Sequence, residues 1–145
     1  MEKLNDIIFY HLDKAIKTYR QFAQSELKQA GIGITIDQWI VLKSISENPG
    51  ISQRAIAENV FKDEASVTRI IELLVKKKLL TRSFHDSDRR KVELTSNRQT
   101  TAVLKKIHAI AVKNRALALL KVSSADLQIV RKVMIRIADN CREKS

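Results

Sequence analysis

The chain has 145 residues, of which 44% are hydrophobic and 30% charged, with a formal net charge of +11 and a pI near 10. This length and apolar fraction exclude a disordered polar chain and suffice for one domain with its own core. The basic excess favours an anionic partner, either nucleic acid or an anionic membrane surface.

In chain order, MEKLNDIIFYHLDK is interrupted by charges and lacks the apolar centre of a secretory leader. No run of about 18 apolar residues follows, so no membrane-spanning helix is expected. Apolar residues at Leu4, Ile8, Leu12, Ala15, Tyr19, Phe22 and Ala23 recur at three-to-four spacing. They predict a long amphipathic helix from Leu4 to about Leu27, closed by Gly31 and Gly33. TIDQWIVLKSI opens with Thr35 and places Gln38 three residues on, the pattern of a capping box. Ile36, Trp39, Ile40, Leu42 (or Val41) and Ile45 give this second helix its buried face, and ENPG ends it as a turn. Ser52 then caps a short helix, QRAIAENVF, with Ala55, Ile56 and Val60 inward. Asp63 caps the next, EASVTRIIELLVKKK, with Val67, Ile70, Ile71 and Leu74 inward and Ser66 and Arg69 outward. LLTRSF, the polar HDSDRR and KVEL read as a β-hairpin with a short second strand. Two long helices complete the chain, from about Asn97 to Leu120 and from Ser124 to Arg142. Val103, Leu104, Ile107 and Ile110 stripe the first; Leu127, Val130, Met134 and Ile137 stripe the second. The scarcity of glycine and proline, three and one, agrees with long helices and short connections.

The middle of the chain is therefore helix, short helix, helix, hairpin: a helix-turn-helix followed by a wing. The fold class expected is mainly α with a small β-hairpin. The long flanking helices carry apolar stripes that this small lobe does not need. Burying them against the same helices of a second copy gives a two-fold dimer.

TIDQWIVLKSISENPGISQRAIAE, KDEASVTRIIELLVKKKLLTR and DSDRRKVELT, taken together, resemble the MarR family of bacterial transcriptional regulators. The likeness spans about Thr35 to Thr95 and rests on an ordered set: Gln38-Trp39, the SVTR run, Leu-Leu-Thr-Arg, Asp-Arg-Arg and Leu-Thr. It implies a single domain over residues 1–145, with a DNA-binding lobe at 35–95 and dimerisation helices at 1–30 and 97–145. Three departures stand out. Lys78 occupies a position that is usually glycine, SNR replaces the glycine expected after Leu-Thr, and the strand from Arg90 to Leu94 looks short, which implies a stubby hairpin.

A helix entering the major groove presents its N-terminal side chains to base edges. The resemblance implies DNA contacts for Ser66, Thr68 and Arg69, with Arg69 reading guanine or clamping a phosphate. Ser52, Gln53 and Arg54 open the preceding helix, where free N–H groups suit a phosphate. In the hairpin, the resemblance implies that Arg89 and Arg90 approach the minor groove and that Asp88 orients an arginine, with Arg90 the inserted residue. Lys76, Lys77 and Lys78 form a solvated, basic run. A metal reading of His85, Asp86 and Asp88 has the right ligand types, but adjacent residues on a tight turn rarely converge on one ion. His11 and His108 read as structural. The lone Cys141 reads as a helix filler, redox sensing being the rival, and with no partner for a disulfide it fits a cytoplasmic protein.

No Ser-His-Asp or Cys-His set, glycine-rich phosphate loop or paired-carboxylate motif supports an enzyme, and no cofactor is implied. The function expected is that of a sequence-specific regulator on double-stranded DNA. The resemblance implies a homodimeric repressor on a pseudo-palindromic operator, released by a small aromatic or anionic effector. Trp39 and Tyr19 are as suitable for its cleft as for the core. Two rivals stand: a winged-helix module docking a protein or RNA, and a basic helical protein on anionic membranes.

Overall fold

The structure, a computed structural model, describes residues 1–85, 87–142 and 144, and for residues 85 and 88–92 the backbone alone. A 3-10 turn at Leu4–Asp6 precedes α1 (Ile8–Gln29), α2 (Ile36–Glu47), α3 (Gln53–Val60) and α4 (Glu64–Lys76). The hairpin β1 (Leu80–His85) and β2 (Asp88–Ser96) follows, then α5 (Arg98–Ala118) and α6 (Ser124–Arg142). The chain divides into two compact units, residues 1–112 and residues 113–145.

Three caps begin their helices as the local sequence predicts. Thr35 Oγ1 accepts from the Gln38 N–H at 3.2 Å while the Gln38 side chain accepts from the Thr35 N–H at 3.2 Å, a complete capping box. Ser52 Oγ accepts from Ala55 N–H at 3.1 Å to start α3, and Asp63 Oδ1 accepts from Ser66 N–H at 2.7 Å to start α4. Each cap satisfies a backbone donor that a helix start otherwise leaves unpaired.

In the first unit, α2 packs on α3 and α4, and the hairpin packs on α4 and α2. Val41, Leu42, Ile56, Val67 and Leu74 are fully buried at the centre of this lobe. Ile107 of α5 joins them, with Val103, Leu104 and Ile110 packed against the cluster, as the stripe on that helix predicts. Trp39 is half-buried against the same core.

Two expectations need correction. The first helix begins at Ile8 rather than Leu4, and only Ala23 and Leu27 on it are buried; Leu4 and Ile8 stay exposed. An amphipathic stripe measures the capacity to be buried, and within one chain only the end of α1 next to α2 finds a surface to cover it. On α6, Val130 and Met134 are exposed, which agrees with a stripe that the expected dimer, and not this chain, would cover.

The hairpin is the second. β2 has nine residues, so the wing is not stubby; Asp88, Arg89 and Arg90 belong to the strand and not to a loop. Leu80 pairs with Ser96 and Phe84 with Val92 in antiparallel register, after which a bulge brings His85 opposite Asp88. Strand pairing is made by backbone groups whatever the side chains, so a charged DRR can lie in a strand.

Lys78 takes φ 60°, the left-handed conformation that glycine would adopt without strain. Its neighbours hold it there. Leu79 N–H bonds Leu74 O at 2.9 Å across the helix end, and the Asn97 amide donates to Lys78 O at 2.9 Å. Buried Thr100 completes the seal, its hydroxyl donating to Leu79 O. Relieving the left-handed strain by Lys78→Gly should stabilise the protein by about 0.5–1 kcal/mol, read as a raised denaturation midpoint. An unchanged or lowered midpoint would mean that Lys78 contributes more through its side chain than its backbone costs.

Candidate nucleic-acid interface

The start of α3 meets the second turn of α4, where Gln53 bonds Thr68, and the connection between the two helices is only Phe61, Lys62 and Asp63. Phe61 takes φ 58° to close α3, with Lys62 N–H reaching back to Ala57 O at 3.0 Å. Its side chain is 93% exposed, so neither local conformation nor the core accounts for a phenylalanine there.

Of the residues predicted for DNA, Ser66 and Thr68 are half-buried and Arg69 is exposed on α4, while Ser52, Gln53 and Arg54 are exposed on α3. Gln53 and Thr68 are brought together, the Gln53 amide donating to Thr68 Oγ1, which donates in turn to Glu64 O at 2.9 Å. Ser66 Oγ donates to Asp63 Oδ2 at 2.9 Å, so this hydroxyl serves the cap. Arg54 Nε lies 3.7 Å from Glu58 Oε1 in a solvent-exposed pair that costs little to exchange for another anion. The Lys77 ammonium donates to Gly33 O, tethering one of the three lysines to the loop before α2. The side chains of Asp88, Arg89 and Arg90 lie outside what the structure describes, as do the side chain of His85 and all of Asp86. Among the described residues no group of three or more metal-ligating side chains converges.

One constellation escaped the sequence. Asp37 on the first turn of α2 receives Arg20 of α1 at 3.1 Å and Lys62 of the α3–α4 turn at 3.3 Å. Gln24 of α1 also accepts from the Ile36 N–H at 2.9 Å. Three segments far apart in sequence are thus joined immediately before α4, and only the capping box at Thr35 hinted that residue 37 would sit at a helix start. Partial burial pushes the Asp37 carboxyl upward, but hydrogen bonds and charge from Lys62 and Arg20 outweigh it and hold the group below the usual range.

Asp63 is held low as well, chiefly by the Ser66 backbone N–H and hydroxyl, with Arg69 adding its charge. A carboxyl lowered in the folded state contributes stability above its unfolded pKa and loses that contribution as pH falls through the folded value. Acid should therefore weaken the start of α4 below about pH 4. Asp63→Asn, which can still cap, should flatten that limb of a melting-temperature profile; a profile identical to the unaltered protein would show that Asp63 is not its source.

Comparison with known proteins places the same region. Residues 34–92 match the model of the MarR family. The chain is 30% identical over 89 residues to the HTH-type transcriptional regulator BilQ of Clostridium symbiosum, covering 61% of this chain and 60% of that protein. It is 27% identical over 115 residues to the HTH-type transcriptional regulator YhbI of Bacillus subtilis, covering 77% and 75%. The chain thus spans less than two thirds of the length of BilQ, and 49% of the length of another curated relative. Among solved structures, BpsR of Bordetella bronchiseptica superposes with a TM-score of 0.84 at 20% identity, covering 96% of this chain and 98% of that one. At that identity the likeness concerns the fold. The family and the curated relatives are those of regulators, not enzymes.

Proposed function

The chain carries the winged helix of the MarR family over residues 34–92, and with that family membership as premise we propose that it is a homodimeric, sequence-specific regulator of transcription acting on double-stranded DNA as a repressor. Each protomer would place α4 in a major groove and its hairpin at the adjacent minor groove, on half-sites about 34–36 Å apart.

The observation that carries this reading is the capped start of α4. Its polar residues Ser66, Thr68 and Arg69 gather beside the capped start of α3, in a chain of net charge +11. In a helix lying in the major groove, polar side chains of the first two turns, here the half-buried Ser66 and Thr68 and the exposed Arg69, are within reach of base edges. Apolar residues left exposed on α1 (Ile8, Phe9, Ile16) and on α6 (Ile129, Val130, Val133, Met134, Ile135) support the dimer, since exposed apolar groups at this density favour burial.

Control by a small aromatic or anionic effector belongs to the same reading. The structure of BpsR concerns regulation of its DNA binding by 6-hydroxynicotinic acid, a ligand of that class. In this chain a shallow, open groove lined by Arg20, Gln21, Gln24, Thr35, Ile36 and Asp37 offers an anionic molecule the guanidinium of Arg20. An anion there would compete with Asp37 for Arg20. A ligand shifts the DNA-binding equilibrium only as far as it prefers one arrangement of the two recognition helices over the other. No cofactor is required. Among the described residues no helix is long and apolar enough to cross a membrane, which agrees with action on DNA in the cytoplasm.

Selection of bound sequences from a random duplex pool tests the proposal and should return an inverted repeat, with affinity falling steeply as salt rises. A pool without a repeat would count against the dimer, and salt-independent binding against the electrostatic account, leaving a protein- or RNA-docking module. Arg90→Ala should weaken binding mainly on A·T-rich flanks, where a narrow minor groove concentrates negative potential; equal loss on all flanks would make Arg90 a phosphate contact.

A further inference from the structure

Thr68 stands in the second turn of the recognition helix with its hydroxyl already engaged on two sides. It donates its only proton to Glu64 O at 2.9 Å and accepts from the Gln53 amide across the α3–α4 junction. A hydroxyl has one proton to give. With that proton spent, Thr68 has none for thymine O4, guanine O6 or a purine N7. The two bonds also fix its χ1, which a β-branched side chain already restricts. One lone pair remains on an oxygen that the Gln53 amide already approaches. The γ-methyl, on a side chain that is only half-buried, takes part in neither bond and is the group left for an apolar contact.

We propose that Thr68 is a specificity-determining residue that reads the C5-methyl of a thymine through its own methyl, with Gln53 as the positioning residue that holds it there. The chemistry follows from the groove: thymine alone presents a methyl in the major groove, and a threonine methyl is among the side-chain groups that fit against it. Gln53, anchored through one amide proton, keeps its other N–H and its carbonyl oxygen for the backbone or base beside that thymine. The pair couples the two helices, so α3 contributes to base choice without touching that base. The inference rests on the proposed reading of the protein as a duplex-DNA regulator.

The test begins from a duplex selected by the full-length protein, in which each thymine is replaced in turn by deoxyuridine, removing only the methyl. One position in each half-site should lose roughly fourfold in affinity, the scale of one buried methyl contact. Thr68→Ser keeps the hydroxyl and both its bonds but has no methyl, and should bind thymine and deoxyuridine duplexes equally at that position. Thr68→Val keeps a methyl and should go on discriminating, while becoming indifferent to Gln53→Ala because the link is already gone. Insensitivity to deoxyuridine at every position would overturn the assignment, and so would a serine variant that still discriminates at the same position. Either result leaves duplex binding intact, whereas failure to select any shared sequence would strike the regulator reading itself.

Discussion

Val130→Asp together with Met134→Asp should convert the protein to a monomer and lower its affinity for a two-half-site duplex by about 10²–10⁴-fold. Both side chains are nearly half exposed, at 44% and 46%, one helical turn apart on α6. Burying an aliphatic side chain of this size is worth about 1.5–3 kcal/mol, and a carboxylate in its place would need a partner or stay hydrated. Without the dimer, the second half-site is no longer presented at high effective concentration, and each winged helix binds alone. Light scattering reads the mass and a gel shift reads the affinity. The lobe built on Leu42, Ile56 and Leu74 has its own core in residues 1–112, so its helical circular dichroism should persist. A double variant that remains dimeric would place the interface elsewhere.

Arg69→Ala should cost about 1–3 kcal/mol on the selected sequence, roughly 5- to 150-fold, and should relax preference at one position of each half-site. Arg69 is exposed on α4, and its charge reaches Asp63 at the cap. Alanine is the best helix former, so α4 should survive the change and the loss can be assigned to the contact. A guanidinium that forks onto guanine carries sequence information, whereas one on a phosphate carries none. The two roles separate cleanly: a uniform loss on all sequences, with the salt dependence shallower by about one ion, would make Arg69 a phosphate clamp.

Much of the lobe was legible because its signals are short-range. A cap needs only a side chain and a backbone N–H two or three residues on, so Thr35, Ser52 and Asp63 could be read directly, and the helices they open begin where expected. Val103, Leu104, Ile107 and Ile110 declared a buried face by spacing, and they pack as one. Lys78 could be marked as a left-handed position because a glycine was expected there. The resemblance, rather than periodicity, picked out the arginines of the hairpin.

What was missed depended on residues distant in sequence. Lys62 was an ordinary turn lysine until α2 brought Asp37 within 3.3 Å, and Arg20 an ordinary helix arginine until α1 crossed the same carboxylate. Thr68 was one candidate DNA contact among several until Gln53, fifteen residues earlier, engaged its hydroxyl. Nor could the length of β2 be read from composition, since the pairing of Arg82 with Leu94 and Phe84 with Val92 carries the strand through charged residues.

By itself, then, the sequence determined the helices, their caps, the order of elements and the basic character of the chain, because propensity, capping and net charge are summed over neighbours along the backbone. Tertiary structure decided which polar groups on those helices are already spent on one another and which remain for a partner. That division depends on directional hydrogen bonds and ion pairs a few ångströms long, which exist only once α1, α2, α3 and α4 have been packed together.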